Sequence, residues 1–98
     1  NKTNAEQMGA FSSSMGVLFK KGSLDVKTKE LISVAIGIYN RCKYCIVGHS
    51  YKALKAGASP EEIMEAAMVA VAFGGGPSMA YSVTLLRKSL EEFKSDFS

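Results

Sequence analysis

Apolar residues recur along this chain at helical intervals. Ala5, Met8, Phe11, Met15, Leu18 and Phe19 follow one another by threes and fours, which predicts an amphipathic first helix ending near Gly22. After a loop carrying Ser23 and Leu24, Asp25 or Thr28 can cap a second helix that runs through Glu30 to about Tyr39. Leu31, Ile32, Val34, Ala35, Ile36 and Ile38 make that helix apolar on most sides, the pattern of a buried helix. Asn40 and Arg41 mark a short break before a third helix over 42–57, which Gly57 closes in the favoured C-terminal position. Ser59-Pro60-Glu61-Glu62 reads as a capping box with proline at the first helical position, so a fourth helix starts at Pro60 and runs to about Phe73. From Ile63 to Phe73 only Glu65 is charged, again the pattern of a core helix. Gly74-Gly75-Gly76-Pro77 ends it as a sharp turn. Met79, Val83, Leu86, Leu90, Phe93 and Phe97 then repeat by four and three like a coiled-coil seam, so the fifth helix calls for a partner. No stretch alternates as a strand would, and there is no internal repeat. The expectation is an all-α fold of about five helices forming a single domain over residues 1–98.

Composition adds a reason to associate. A chain of 98 residues can bury only about 60–65% of its unfolded surface alone. Its hydrophobic fraction of 47% is high for that length, and its charged fraction of 21% is a little low. The third helix sharpens the point. Cys42, Cys45, Ile46, His49, Ala53 and Ala56 share one side, while Tyr44, Val47, Tyr51 and Leu54 occupy another. Two apolar faces on one helix point to a subunit contact, with a core simply finished by Tyr44 and Tyr51 as the alternative. The net charge of +3 comes from lysines scattered among carboxylates, with no basic stripe for nucleic acid. Glu65 and the glycines at 74–76 interrupt the longest apolar run, so no segment is expected to span a membrane. The chain begins at Asn1 without a signal-like segment, and the missing methionine suggests a trimmed or partial chain.

The chemistry gathers in eight residues. C-K-Y-C-I-V-G-H over 42–49 holds both cysteines and the only histidine. On a helix, offsets of three and seven bring Cys42, Cys45 and His49 to one face. Two cysteines so close would staple almost nothing, so redox or metal chemistry in a reducing compartment, the cytoplasm, is the better use. The thiolate is the nucleophile, and a thiol near its reference pKa of about 8.5 is only a few per cent ionised at neutral pH. The first turn of a helix favours the anion through its unpaired N–H groups. His49, one turn beyond Cys45, can take its proton. Glu30, a carboxylate in an apolar helix, can accept a hydrogen bond from His49 and extend the relay. Attack by Cys45 on a peroxide would give a sulfenic acid, which Cys42 would condense with to a disulfide, and a separate reductant would reset the pair. Helix electrostatics favour Cys42 as the attacking thiol, whereas spacing to the base favours Cys45, and the spacing is followed here.

Each assignment has a plainer rival. Cys42, Cys45 and His49 could ligate zinc, but they supply three ligands and only Glu30 offers a fourth. Haem attachment would need the histidine directly after the second cysteine. Glu30 could answer only the helix dipole. Methionines 8, 15, 64, 68 and 79 read as packing residues.

Glu30, eleven residues, Cys42, two residues, Cys45, three residues and His49 reproduce an E-x11-C-x-x-C-x3-H arrangement. With L-D-V-K-T-K-E-L-I from residue 24, K-A-G-A-S-P-E-E-I from residue 55 and F-G-G-G-P from residue 73, the chain resembles the carboxymuconolactone decarboxylase superfamily, in its alkylhydroperoxidase AhpD-like branch. The resemblance covers about residues 24–85. It implies an all-helical subunit assembling as a homotrimer or homohexamer, and a thiol-dependent peroxidase or disulfide oxidoreductase activity. The implied catalytic residues are Cys45, Cys42, His49 and Glu30, with no cofactor and no bound metal. It also implies a peroxide or disulfide substrate and a dithiol reductant such as a lipoylated protein. Tyr44 stands where the best characterised peroxidase of the branch has a histidine, which makes it a secondary candidate for the site. Two other functions stay in view: a lactone decarboxylase-like lyase, after the superfamily's name, and a noncatalytic redox-sensing assembly protein.

Overall fold

A computed structural model describes residues 4–97. Among these residues every regular element is helical: α1 (Ala5–Leu18), α2 (Val26–Asn40), α3 (Lys43–Lys55), α4 (Pro60–Gly74), α5 (Gly76–Tyr81) and α6 (Arg87–Phe93). A π-helical stretch, Ser82–Leu86, joins α5 to α6 without a break, and a 3-10 turn, Lys94–Asp96, follows. The rod from 76 to 93 is the fifth helix of the sequence reading. The described chain is therefore all-α, in five helical rods.

The starts are set by side-chain caps. The Asp25 carboxylate accepts the Thr28 backbone N–H at 2.8 Å, which assigns the cap of α2 to Asp25. Ser59 and Glu62 form the reciprocal capping box of α4, with Pro60 at its first position. The two caps are joined, since Lys27 Nζ lies 3.1 Å from Glu62 Oε2. The ends of α2 and α3 close alike. The Cys42 N–H reaches back to the Gly37 carbonyl and Arg41 N–H to Ile38, while Ala58 N–H reaches Ala53 and Gly57 N–H reaches Leu54. Both are Schellman closures around a left-handed residue: Gly57 at φ 102°, as expected, and Arg41 at φ 56°, where no glycine gave a signal.

The core lies where α2 packs against α3 and α4, with α6 closing one side. Val34, Ile38, Ile46, Ile63, Ala67 and Leu86 are fully buried there. The residues of the fifth rod's seam divide between core and surface. Met79, Val83 and Phe97 are exposed, and the buried line is Ser78, Ser82, Leu86 and Leu90. Four-residue steps overshoot a turn of α-helix by about 40° each, so three of them would carry the line off the core. The π-helical turn lies within that line and takes up the excess. Serines fit because the rod starts tight against its neighbour: a side chain at Gly74 would collide with the Ser78 hydroxyl. Ser82 is satisfied by donating its hydroxyl to the Ser78 carbonyl at 2.8 Å.

Two expectations of burial are corrected, and a third is met in part. α2 and α4 are core helices on one side only: Ile32, Ile36, Tyr39, Val69 and Phe73 remain exposed. α1 buries no residue and touches the other helices sparsely, leaving Phe11, Val17 and Leu18 open. It also stops at Leu18, short of Gly22, and Lys29 Nζ donates to the Leu18 and Lys20 carbonyls at 2.9 and 2.5 Å. The third is the second face of α3, which divides. Tyr51 packs edge-on against Phe93 and Phe97, with ring centroids 5.1 and 5.2 Å apart, whereas Tyr44 is 93% exposed.

Candidate active site

The break between α2 and α3 places the cysteines. With Arg41 left-handed, the chain reverses in two residues and Cys42 becomes the N-cap of α3 in extended backbone. Its sulfur accepts the Cys45 N–H at 3.2 Å, so one thiol position sits on the unpaired donors of the helix start. Cys42 and Cys45 are joined in a disulfide, with Cα atoms 5.2 Å apart. Gly37 makes the approach possible. A Cβ there would stand 3.0 Å from Cys45 Cβ and 3.3 Å from the Ile46 nitrogen, so a side chain at this position would push the first turn of α3 outward by a few tenths of an ångström.

One turn beyond Cys45, His49 meets Glu30 of α2. His49 Nδ1 and Glu30 Oε1 are 2.6 Å apart, with side-chain exposures of 16% and 7%. Facing a carboxylate, Nδ1 carries the proton and donates, which leaves Nε2 with the lone pair in the neutral ring. Glu30 is the one buried carboxylate among the described residues, and no buried side-chain nitrogen or oxygen there lacks a partner. Phe19, just past α1, stacks on the His49 ring at 5.6 Å between centroids and 12° between planes. A cleft of about 340 Å³ runs between the end of α1 and Glu30, His49 and Lys52.

Four of the sequence candidates thus form two units on α2 and α3: a disulfide at the helix start and an imidazole–carboxylate pair one turn along α3. Tyr44 stays apart, lining a shallow recess with Lys43, Val47 and Gly48. Among the described residues no group of three or more His, Cys, Asp or Glu is arranged to hold a metal ion. Gly37, Phe19 and Lys29 were missed as contributors to the site. Only Gly37 carried a signal, being a glycine inside an apolar helix.

Comparison with known proteins is consistent across sequence and structure. The profile of the carboxymuconolactone decarboxylase family matches residues 6–88. Uncharacterized protein 4 in the cox locus of Paracoccus denitrificans is 41% identical over 73 residues, covering 74% of this chain and 66% of that protein. An uncharacterized protein of Cupriavidus necator is 35% identical over 75 residues, covering 76% of this chain and 66% of that protein. The match thus spans just under two thirds of the length of these relatives. Among solved structures, an apo carboxymuconolactone decarboxylase family protein from Legionella pneumophila superposes with a TM-score of 0.87 at 42% identity, covering 94% of this chain and 81% of that one. A family member from Thermotoga maritima, whose suggested role is in an antioxidative response, gives a TM-score of 0.74 at 33% identity over 92% of this chain and 79% of that one.

Proposed function

Since the chain belongs to the carboxymuconolactone decarboxylase family, we propose that it is a thiol-dependent peroxidase or disulfide oxidoreductase of the AhpD-like kind. The observation that carries this reading is the Cys42–Cys45 disulfide standing one helical turn from an imidazole held by a buried carboxylate. Spacing favours Cys45 as the nucleophile, because His49 is four residues on. In the reduced enzyme, His49 Nε2 takes the Cys45 proton while Nδ1–H keeps its bond to Glu30, which stabilises the imidazolium that forms. The thiolate attacks a hydroperoxide, the O–O bond breaks, and the leaving oxygen departs as an alcohol or water after receiving the proton from His49. Cys45 is then a sulfenic acid. The Cys42 thiol displaces its oxygen as water and the disulfide forms. A dithiol, lipoyl-type or protein-borne, returns two electrons and two protons to the pair and is itself oxidised to a disulfide. The antioxidative role suggested for the Thermotoga maritima neighbour agrees with this use.

A decarboxylase would have no need of paired thiols, which weighs against the reading that the family's name invites. A reducing compartment such as the cytoplasm suits the cycle, and among the described residues no helix is long and apolar enough to cross a membrane. The same reading includes assembly as a homotrimer or homohexamer. A wholly apolar recess of about 310 Å³ between α2 and α4, lined by Ala35, Ile36, Tyr39, Val69 and Phe73, supports it. The test is hydroperoxide consumption in the presence of a small dithiol. Turnover that disappears in Cys45→Ser is expected, and a protein inert to hydroperoxides and to small disulfides would defeat the proposal.

A further inference from the structure

We propose that Phe19 is a positioning residue of the thiol site, fixing the plane of the His49 ring through a clamp that Lys29 holds closed. Its consequence for reactivity rests on the relay reading above, whereas its geometry does not.

The hydrogen bond from His49 Nδ1 to Glu30 fixes one atom of the imidazole. That bond and the tether through Cβ set where the imidazole lies, but the ring still librates about χ2 and swings away whenever the bond breaks, which carries Nε2 off a fixed target. A restraint on the face of the ring narrows that motion. The Phe19 ring supplies it, lying at 12° to the imidazole with centroids 5.6 Å apart. Phe19 comes from a segment with little else to hold it. It directly follows α1, which has no buried residue. The anchor is Lys29, whose ammonium bridges the Leu18 and Lys20 carbonyls on either side of Phe19. Lys29 directly precedes Glu30 on α2. One turn of α2 therefore holds the imidazole at its nitrogen through Glu30 and at its face through Lys29 and Phe19.

This arrangement differs from ordinary packing in what it requires. Packing asks for apolar bulk, which leucine supplies, whereas fixing a ring plane asks for a flat partner, which tyrosine supplies and leucine does not. Phe19 also borders the cleft that reaches Glu30 and His49.

The chain has one histidine, so its ring protons can be followed without assignment by mutation. The experiment compares Phe19→Leu and Phe19→Tyr by NMR of the His49 ring, together with the rate at which iodoacetamide alkylates Cys45 in the reduced Cys42→Ser background. Loss of the stacked ring in Phe19→Leu moves the His49 carbon-bound protons, and the mispositioned base slows alkylation at neutral pH about tenfold. Phe19→Tyr restores both. Ring signals that stay in place in Phe19→Leu overturn the proposal, as does alkylation that is unchanged in Phe19→Leu or slowed equally in Phe19→Tyr. Should His49→Gln leave alkylation unchanged while Phe19→Leu still displaces the ring signals, the relay reading fails and with it the effect on reactivity, while Phe19's hold on the ring stands.

Discussion

The α2–α3 turn is written in mixed polar sequence and is closed by specific contacts, whereas the outer faces of α1, α2 and α4 are apolar and open. At the turn, each contact is specified by particular chemistry. Gly37 admits the start of α3, Arg41 takes the left-handed position, Cys42 caps the helix, and Glu30 meets His49 at 2.6 Å. On the outer faces, Ile36, Val69 and Phe73 form a recess with nothing polar in it, and Phe11 is 66% exposed. Periodicity states which side of a helix avoids water. It does not state whether the cover comes from the same chain or another copy.

Substitutions on the two regions should therefore part company. His49→Ala removes the partner of a buried carboxylate and should cost about 3–5 kcal/mol in a denaturant titration. Hydroperoxide turnover should fall at least about 100-fold with it. Phe11→Ala, at an exposed apolar position of α1, should change monomer stability by no more than about 0.5 kcal/mol. Similar losses at both positions would erase the distinction. Gly37→Val comes next: its side chain meets Cys45 and the backbone of α3, so a loss of about 1–3 kcal/mol is expected. The rate of disulfide formation should fall with it, since the first turn of α3 is pushed away.

The open faces give a smaller and different signal. Ile36→Glu with Phe73→Glu should leave the helical circular dichroism intact and reduce the sedimenting species to the 10.5 kDa chain. A folded parent that is already a monomer at micromolar concentration would show that these faces need no copy of the chain. The smallest effect concerns the caps. Asp25 is held below its ordinary value of 3.8, chiefly by the hydrogen bond with the Thr28 side chain and then by the Thr28 N–H. Glu62 is held below 4.5, chiefly by the Ser59 N–H and then by Lys27. Carboxylates depressed on folding stabilise the protein above their unfolded pKa values, and that contribution fades as the pH falls through the lower folded ones. Thermal midpoints should thus hold above about pH 5 and decline below it. Asp25→Asn should flatten part of the decline, and an unchanged slope would remove Asp25 as a contributor.

Much of the site was legible because its signals are local. A capping box, a glycine after a helix and a carboxylate in an apolar helix each carry their reason in a few residues, and Glu30 and His49 meet as that reasoning expects. The features missed depend on distant contacts. The four-and-three repeat of the fifth rod gave no sign of Ser78 and Ser82, which the tight Gly74–Ser78 approach and the π-helical turn bury. Phe19 read as one more apolar residue of α1, because nothing local says that the helix stops at Leu18 or that an imidazole lies beneath. Arg41 gave no hint of a left-handed backbone, since that position usually falls to glycine or asparagine.

In the proposed cycle Cys45 is the attacking thiol, served by the base one turn away. This assignment is tested most directly by treating reduced Cys42→Ser and Cys45→Ser proteins with one equivalent of hydroperoxide beside a sulfenic-acid trap, then locating the adduct by peptide mass spectrometry. Rapid trapping at Cys45 in the first protein and no fast reaction in the second are expected. Rapid trapping at Cys42 in the second, with Cys45 slow in the first, would contradict the assignment and give the decision to the helix start over the histidine.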